Sequence, residues 1–187
     1  MDSPYAIEGP AVVSFSGGRT SAYMLWHILD YYGGKLPDDV HVIFANTGKE
    51  VPETLHFIQQ CSESWSVHVT WLEYDPHAEY QTRVVSHNSA SRNGEPFERM
   101  IDRYGQLPNL HHRICTAHLK TKRFARYGKH YLGWSHWQNV IGIRADESRR
   151  FLGRENPKEY PWNSVAPLVY ADVTSRDVVD FWRRQPF

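Results

Sequence analysis

The sequence predicts an α/β fold, a parallel sheet in a three-layer α/β/α sandwich. Three observations carry that prediction. The run Ala11–Phe15 (AVVSF) is short, apolar and rich in β-branched residues, the signature of a buried strand. Ser16-Gly17-Gly18 then breaks the chain, and from Arg19 the apolar positions recur with a helical period. The strand-helix alternation repeats once more and a third strand follows, which sets up a β-α-β-α-β order. Successive strands joined that way run parallel, through right-handed crossovers.

The elements follow in order. A first helix runs from Arg19 to about Tyr32, with Tyr23, Leu25, Trp26, Ile28 and Leu29 on its apolar face. Gly33–Asp39 is a loop by composition. Val40–Ala45 (VHVIFA) is a second strand, closed by Asn46-Thr47-Gly48-Lys49-Glu50. Pro52 opens a second helix that continues to about Trp65, and Val67–Tyr74 (VHVTWLEY) is a third strand. Pro76–Asn109 is the least regular stretch and reads as a lid or a surface excursion, with a short helix over Pro96–Tyr104. Thr116 is placed to cap a helix through Leu119, Phe124 and Tyr127, whose charged face would carry Lys120, Lys122, Arg123, Arg126 and Lys129. Gln138–Ile143 is a fourth strand. Trp162–Tyr170 brings the chain back over the sheet, and Thr174 or Ser175 caps a last helix over Asp177–Arg184.

A chain of 187 residues makes one domain, and 41% hydrophobic content is enough to give it a packed core. Residues 1–10 are polar and broken by proline, so they read as a flexible lead-in. Twenty-one basic residues balance 21 acidic ones, so no global field draws the chain to nucleic acid or a membrane. No apolar run approaches the roughly 18 residues a bilayer demands. The two cysteines, Cys61 and Cys115, rule out a disulfide scaffold and fit a reducing cytoplasm.

The glycine turn is where the chemistry concentrates. Gly17 and Gly18 let main-chain N–H groups approach a ligand, and the helix start leaves such groups unpaired at its positive end. Ser16, Thr20 and Ser21 add hydroxyls and Arg19 adds a charge, so the loop suits a phosphate or sulfate. It is neither a Walker A loop, which needs Lys where Arg19 stands, nor a G-x-G-x-x-G turn.

Four segments in order carry a family resemblance: Ser14–Ser21 (SFSGGRTS), Ala45–Leu55 (ANTGKEVPETL), Arg113–Lys120 (RICTAHLK) and Ile141–Arg150 (IGIRADESRR). Together they resemble the phosphoadenosine phosphosulfate (PAPS) reductase-like branch of the adenine nucleotide α-hydrolase, or PP-loop, superfamily. The resemblance implies a Rossmann-like sheet and an adenine nucleotide, ATP or PAPS, as substrate. It implies that Ser14, Ser16, Gly17, Gly18, Arg19, Thr20 and Ser21 surround the phosphates. Asn46, Thr47, Gly48 and Glu50 would lie near the adenosine, and Arg113 and Gly142 at the nucleotide. Lys120 and Arg144, with Arg19, would neutralise phosphate or sulfate oxygens, and Asp146 and Glu147 would hold Mg²⁺.

The chain departs from the reductases at three points. It has no cysteine after Cys115, where authentic reductases carry a near-terminal Glu-Cys-Gly-Leu-His. Cys115 stands alone, where iron–sulfur types have two adjacent cysteines. Asn46 replaces the usual Asp. The ending resembles relatives that run on into a cysteine-bearing tail, so the chain reads as truncated, and an iron–sulfur cluster would need that tail. Cys115 stays open between a buried thiol, a cluster ligand, an activated nucleophile and a zinc ligand with His111, His112 and His118. Cys61, on an apolar helix face, reads as core.

The expected function is therefore cleavage of ATP between the α and β phosphates to adenylate an acceptor, ahead of sulfur transfer. A PAPS reductase with a thiol donor is the alternative, and a non-catalytic nucleotide-binding module the third. The acceptor or sulfur donor is unnamed by the sequence. The Lys120–Lys129 stretch gives a nucleic-acid partner weak support, and a membrane partner has none.

Overall fold

A computed structural model describes residues 3–108, 113–151 and 160–186. It holds an α/β fold built on a six-stranded, mostly parallel sheet with the strand order β4-β3-β2-β1-β5-β6. The strands are β1 (Ala11–Ser14), β2 (Val40–Asn46), β3 (Val69–Tyr74), β4 (Thr82–Val85), β5 (Trp137–Ile141) and β6 (Trp162–Val165). The α-helices are α1 (Arg19–Tyr31), α2 (Pro52–Ser64), α3 (Glu95–Tyr104), α4 (Lys122–Arg126), α5 (Pro167–Tyr170) and α6 (Ser175–Trp182). The described residues fall into two compact units. The first comprises Met1–Val42, Cys61–His68 and His136–Phe187, and the second Ile43–Gln60 and Val69–Ser135.

In the first unit, β1 pairs with β5 in parallel, Ala11 opposite Gln138 and Ser14 opposite Ile141. Val12 and Val13 are fully buried, as a strand covered on both faces requires. Helix α1 turns Ala22, Met24, Leu25 and Ile28 inward with no exposure; Leu25 and Ile28 belong to the expected apolar face, Ala22 and Met24 widen it, and Trp26 of that face is only partly buried. β6 pairs with β5 in parallel, Trp137 opposite Trp162. That corrects the sequence reading, in which Trp162–Tyr170 only crossed over the sheet. Those residues are an edge strand followed by the short α5, and the Asn163-Ser164 pair in WNSV hides the strand from pattern reading. Ile141, Ile143, Phe151 and Ala166 form one buried cluster behind the carboxyl end of β5.

The expected lead-in is not free of the fold. Tyr5 stacks on His27 of α1 with ring centroids 5.1 Å apart. The Ile7 N–H donates to the Tyr32 hydroxyl at 2.9 Å, and that hydroxyl donates to the Ile7 carbonyl at 3.1 Å.

In the second unit, β4 runs antiparallel to β3, Tyr74 opposite Thr82. The sequence reading left these residues irregular. A tight connection turns the chain, with Tyr80 and Gln81 both at positive φ although neither is glycine. The third strand begins at Val69 and is buried at every position, Glu73 included. The helical stretch after residue 113 is already helical at Ile114 and Cys115, so Thr116 lies inside it rather than capping it. Wide turns over Thr116–Thr121 and Tyr127–Tyr131 flank α4. Tyr74, Met100 and Leu119 are wholly buried here, with Phe97, Ile101, Ile114 and Cys115 packed around them.

Candidate functional site

The glycine loop belongs to the first unit. After Phe15, itself buried, the chain turns through Ser16, Gly17 and Gly18 into α1. Gly17 has φ +74, a left-handed conformation that favours glycine. Gly18 differs: its φ of −95 and ψ of 155 are open to any residue. A Cβ built there would meet only the Ser16 hydroxyl, at 3.6 Å. The fold therefore does not require a bare Gly18.

Ser21 holds the turn in shape. Its buried hydroxyl accepts the Ser16 N–H at 3.2 Å, lies 2.9 Å from the Ser16 hydroxyl and donates to the Gly18 carbonyl at 2.9 Å. Ser21, expected among the phosphate donors, is thus committed to the loop itself. Ser14 is committed too, donating to Asn139 at 2.8 Å. Gly142 keeps the end of β5 close to the loop, since a Cβ there would lie 3.0 Å from the Ser21 Cα. The first intrahelical bond of α1 runs from the Ala22 N–H to the Gly18 carbonyl at 3.0 Å. The N–H groups ahead of it have no helical partner. Ser16, Gly18 and Arg19 are exposed. The Arg19 carbonyl accepts the Trp182 indole N–H at 2.9 Å, which ties the start of α1 to α6.

Arg144 reaches the same loop. Its Nη1 donates to the Thr20 hydroxyl at 3.2 Å. Its Nε donates to Asp146 Oδ1 at 2.9 Å, and Nη1 lies 3.3 Å from Glu147 Oε2. Asp146 Oδ2 accepts the Ser175 N–H at 3.2 Å, and Glu147 Oε1 accepts from Arg150 at 2.8 Å. Each of the four carboxylate oxygens is therefore met by a donor or a cation. The Arg144 hydrogen bond holds the Asp146 carboxyl below the usual carboxylate range. The pair expected to carry Mg²⁺ is arranged as the counter-charge of Arg144, and it does not fit a magnesium ion as it stands. Among the described residues no group of three or more His, Cys, Asp or Glu side chains gathers to hold a metal.

The second unit carries the Asn46–Glu50 turn. Asn46 is fully buried. Its amide donates to Glu73 Oε1 at 2.6 Å and to the Ser91 carbonyl at 2.8 Å, and its Oδ1 accepts the Gly48 N–H at 3.0 Å. Both donors of the amide are thus used inside the protein. Glu73 also accepts the Ser91 N–H at 2.6 Å and the Ser91 hydroxyl at 2.8 Å. Glu73 and Ser91 escaped the sequence reading, because a Glu in VHVTWLEY looks like the solvent side of an alternating strand. The available signal was its place in a run otherwise fit for full burial. Thr47 is likewise engaged, its N–H donating to Glu50 Oε2 at 3.0 Å and its hydroxyl lying 2.9 Å from the same oxygen. Gly48 has φ +76, and a Cβ there would meet Pro96 Cδ at 2.8 Å. Lys120 Nζ, half-exposed, stands 3.9 Å from Glu50 Oε1. Arg113 is exposed.

The charged residues of the basic helix are largely engaged within the protein. Arg123 is fully buried, with its Cζ 5.0 Å from the centre of the Tyr74 ring and its Nη1 donating to Thr82 at 3.2 Å. Burial pulls its pKa down to about 10. Lys122 Nζ lies 3.1 Å from His118 Nε2, and Arg126 donates to the Tyr80 carbonyl and to Gln81 at 2.8 and 2.6 Å. Burial, with those cations beside it, lowers the His118 pKa to about 4.

The cysteines separate cleanly. Cys61 is buried on α2, and burial pushes its thiol up to about 12. Cys115 is half-buried against the Tyr74, Met100 and Leu119 cluster. His111 and His112, named with Cys115 and His118 for zinc, lie outside the described residues. No second cysteine joins Cys115 among the described residues, so the donors present do not fit an iron–sulfur cluster.

Comparisons with known proteins now bear on this geometry. The family model "Phosphoadenosine phosphosulfate reductase domain" matches residues 10–185. A curated relative, "Uncharacterized nin region protein ORF290" of Escherichia phage lambda, is 33% identical over 190 residues. That match takes in 94% of this chain and 60% of the relative, so the chain spans about 60% of the relative's length. Among solved structures, the PAPS reductase of Candida auris in its phosphate complex aligns with a TM-score of 0.57 at 15% identity. The alignment covers 97% of this chain and 79% of that one. The U34-tRNA thiolase NcsA of Methanococcus maripaludis, with its [4Fe-4S] cluster, gives 0.58 at 13% identity, over 96% and 58%. Both alignments speak for the fold, and the family model for descent: the chain belongs to the phosphoadenosine phosphosulfate reductase family.

Proposed function

We propose that this chain binds an adenine nucleotide through the Ser16–Ser21 loop and cleaves ATP between its α and β phosphates, adenylating an acceptor ahead of sulfur transfer. One observation carries the reading. Arg144 is held against Thr20 at the start of a 13-residue helix, beside two glycines and a set of N–H groups with no helical partner. Such a helix start combines backbone donors with the positive end of the macrodipole, the combination that phosphates seek. In the reaction the acceptor's nucleophile bonds to the α phosphorus, the bond to the bridging oxygen breaks, and pyrophosphate leaves with the electron pair. The protein's work is to neutralise the charge that builds on the leaving group. Arg144 and Arg19 are assigned that task in the first unit. The assignments of Lys120 to charge neutralisation, of Arg113 to the nucleotide, and of Asn46, Thr47, Gly48 and Glu50 to the adenosine rest on the family resemblance. For Asn46 and Thr47 the role is to hold the turn, since their side-chain donors are used within it. No step is assigned to magnesium, because Asp146 and Glu147 are already occupied by Arg144.

The reductase reading keeps one specific support, the partial exposure of Cys115. Reduction needs a thiolate that attacks the sulfonate sulfur and displaces adenosine bisphosphate, followed by a thiol donor that releases sulfite. Cys61 is excluded from that role by its burial, which leaves Cys115 as the nucleophile available in this chain. The test compares two products in the unmodified protein and in Cys115→Ser. We expect no sulfite from PAPS with thioredoxin, and pyrophosphate release from ATP with its acceptor that survives the substitution. Thioredoxin-dependent sulfite that disappears in Cys115→Ser would replace this reading by the reductase. Tight nucleotide binding without either product would leave the third reading, a binding module. A nucleic-acid partner gains little from the basic helix, whose Arg123 is buried and whose Lys122 and Arg126 are engaged within the protein. No helix among the described residues is long and apolar enough to cross a membrane.

A further inference from the structure

A cavity lies in the first unit toward the carboxyl end of α1, where the helix gives way to the Gly33-Gly34 turn. It encloses about 210 Å³ and is lined by Trp26, Leu29, Asp30, Gly33, Gly34 and Trp65. That volume suits a side-chain-sized group and is small for a whole nucleotide. Its lining includes two indoles and one carboxylate. The turn is built to leave room. Gly33 and Gly34 have φ +65 and +91, and a Cβ at either would find no atom within 4 Å. The Trp26 ring centre lies 5.1 Å from that of Phe181, and the Trp65 ring centre 6.4 Å from that of Trp182. Asp30 is exposed and makes no ion pair among the described residues.

Indole faces carry negative electrostatic potential and attract cations, most strongly where water is partly excluded. A carboxylate beside them adds charge and accepts hydrogen bonds from N–H groups. We propose that this cavity is a binding site for an organic cation bearing N–H donors, an alkylguanidinium or alkylammonium group. It would sit against Trp26 and Trp65 and donate to Asp30. The Asp30 carboxylate selects a cation with N–H groups over a fully alkylated one, which could not hydrogen-bond to it. The same chemistry is offered by a free small cation and by an arginine or lysine side chain of another protein. The site is independent of the phosphate loop and of the reading given to it.

The experiment titrates methylguanidinium into the full ¹⁵N-labelled chain and follows the indole N–H signals of Trp26 and Trp65, assigned through Trp26→Phe and Trp65→Phe. N-methylurea, of similar shape but neutral, is the control. We expect saturable shifts of both indoles with methylguanidinium, at least tenfold weaker binding in Asp30→Asn, and no saturation with N-methylurea. A short peptide with a single arginine identifies the source: binding tenfold tighter than methylguanidinium points to a protein partner, and equal or weaker binding to a free small cation. Equal response to N-methylurea, unchanged affinity in a folded Asp30→Asn protein, or shifts confined to other residues would overturn the proposal.

Discussion

The Asn46 side chain donates to Glu73 across 2.6 Å, with both groups closed off from solvent. An aspartate at this position, usual in the reductases, would set two carboxylates against each other without a proton between them. The departure seen in the sequence thus has a physical reason in this chain: an amide is the partner that Glu73 accepts. Asn46→Asp should cost roughly 3 kcal/mol at neutral pH, the range for a buried charge left uncompensated. The sign with pH follows from the pair. Below neutrality the two carboxyls can share a proton, so the folded variant binds more protons than its unfolded chain, and its deficit shrinks as pH falls. Urea melts of both proteins at pH 7 and pH 5 check this, and a deficit that grows on acidification would contradict it. Arg144 is the other decisive residue. It is preorganised by Thr20, Asp146 and Glu147, so its guanidinium is in place before a ligand arrives. Arg144→Ala should weaken nucleotide binding by about 2 kcal/mol, the scale of a charged hydrogen bond, and adenosine binding much less. Calorimetry with the two ligands separates these, and an equal loss for both would place Arg144 away from the phosphates.

At the scale of elements, what the sequence reveals depends on how much of the element is hydrophobic pattern. β1, β2 and β3 are read within one or two residues of their ends, because each is a buried run with turn residues after it. β4 and β6 are missed: four residues at a sheet edge, one with Arg83 and the other with Asn163 and Ser164, carry too little pattern to declare a strand. Tyr80 and Gln81 add to this, since no propensity predicts two left-handed non-glycine residues in succession. The burial of Arg123 is not legible in a run of charges, because it depends on the Tyr74 ring and the Thr82 hydroxyl, which lie far from it in the chain. The start of α6 is the reverse case. Thr174 and Asp177 answer each other, the Thr174 N–H and hydroxyl both donating to Asp177 at 2.8 and 2.6 Å. That box starts the helix whose Trp182 bonds the Arg19 carbonyl. Thr174→Ala should cost about 1 kcal/mol of stability, the usual loss of a helix cap. A thermal melt unchanged within error would show that α6 is held by packing alone.

For the whole molecule, the four segments that carry the family resemblance separate into different kinds of work. In one unit Arg144 is hydrogen-bonded to Thr20 of the glycine loop, the arrangement to which the proposed function gives the phosphates. The Asn-Thr-Gly turn and the residues beneath it form a hydrogen-bonded scaffold in the other. The sequence shows which segments matter. It does not show that Ser21, Ser14 and Asn46 spend their hydrogen bonds inside the protein, because that depends on partners 5 to 125 residues away in the chain. The family resemblance likewise pairs Asp146 and Glu147 as metal ligands, and only the position of Arg144 shows what they neutralise.

Gly18 tests the central claim most directly. Its backbone angles suit any residue and the space for a Cβ is open, so Gly18→Val should fold as the unmodified protein does. The valine side chain would stand in front of the loop and keep a phosphate from the N–H groups. Calorimetric titration of ATP, and of PAPS, into both proteins is the measurement. The account predicts binding to the unmodified chain and a loss of at least a hundredfold in a Gly18→Val protein with an unchanged circular dichroism spectrum. Equal affinity of the two folded proteins for both nucleotides would contradict it.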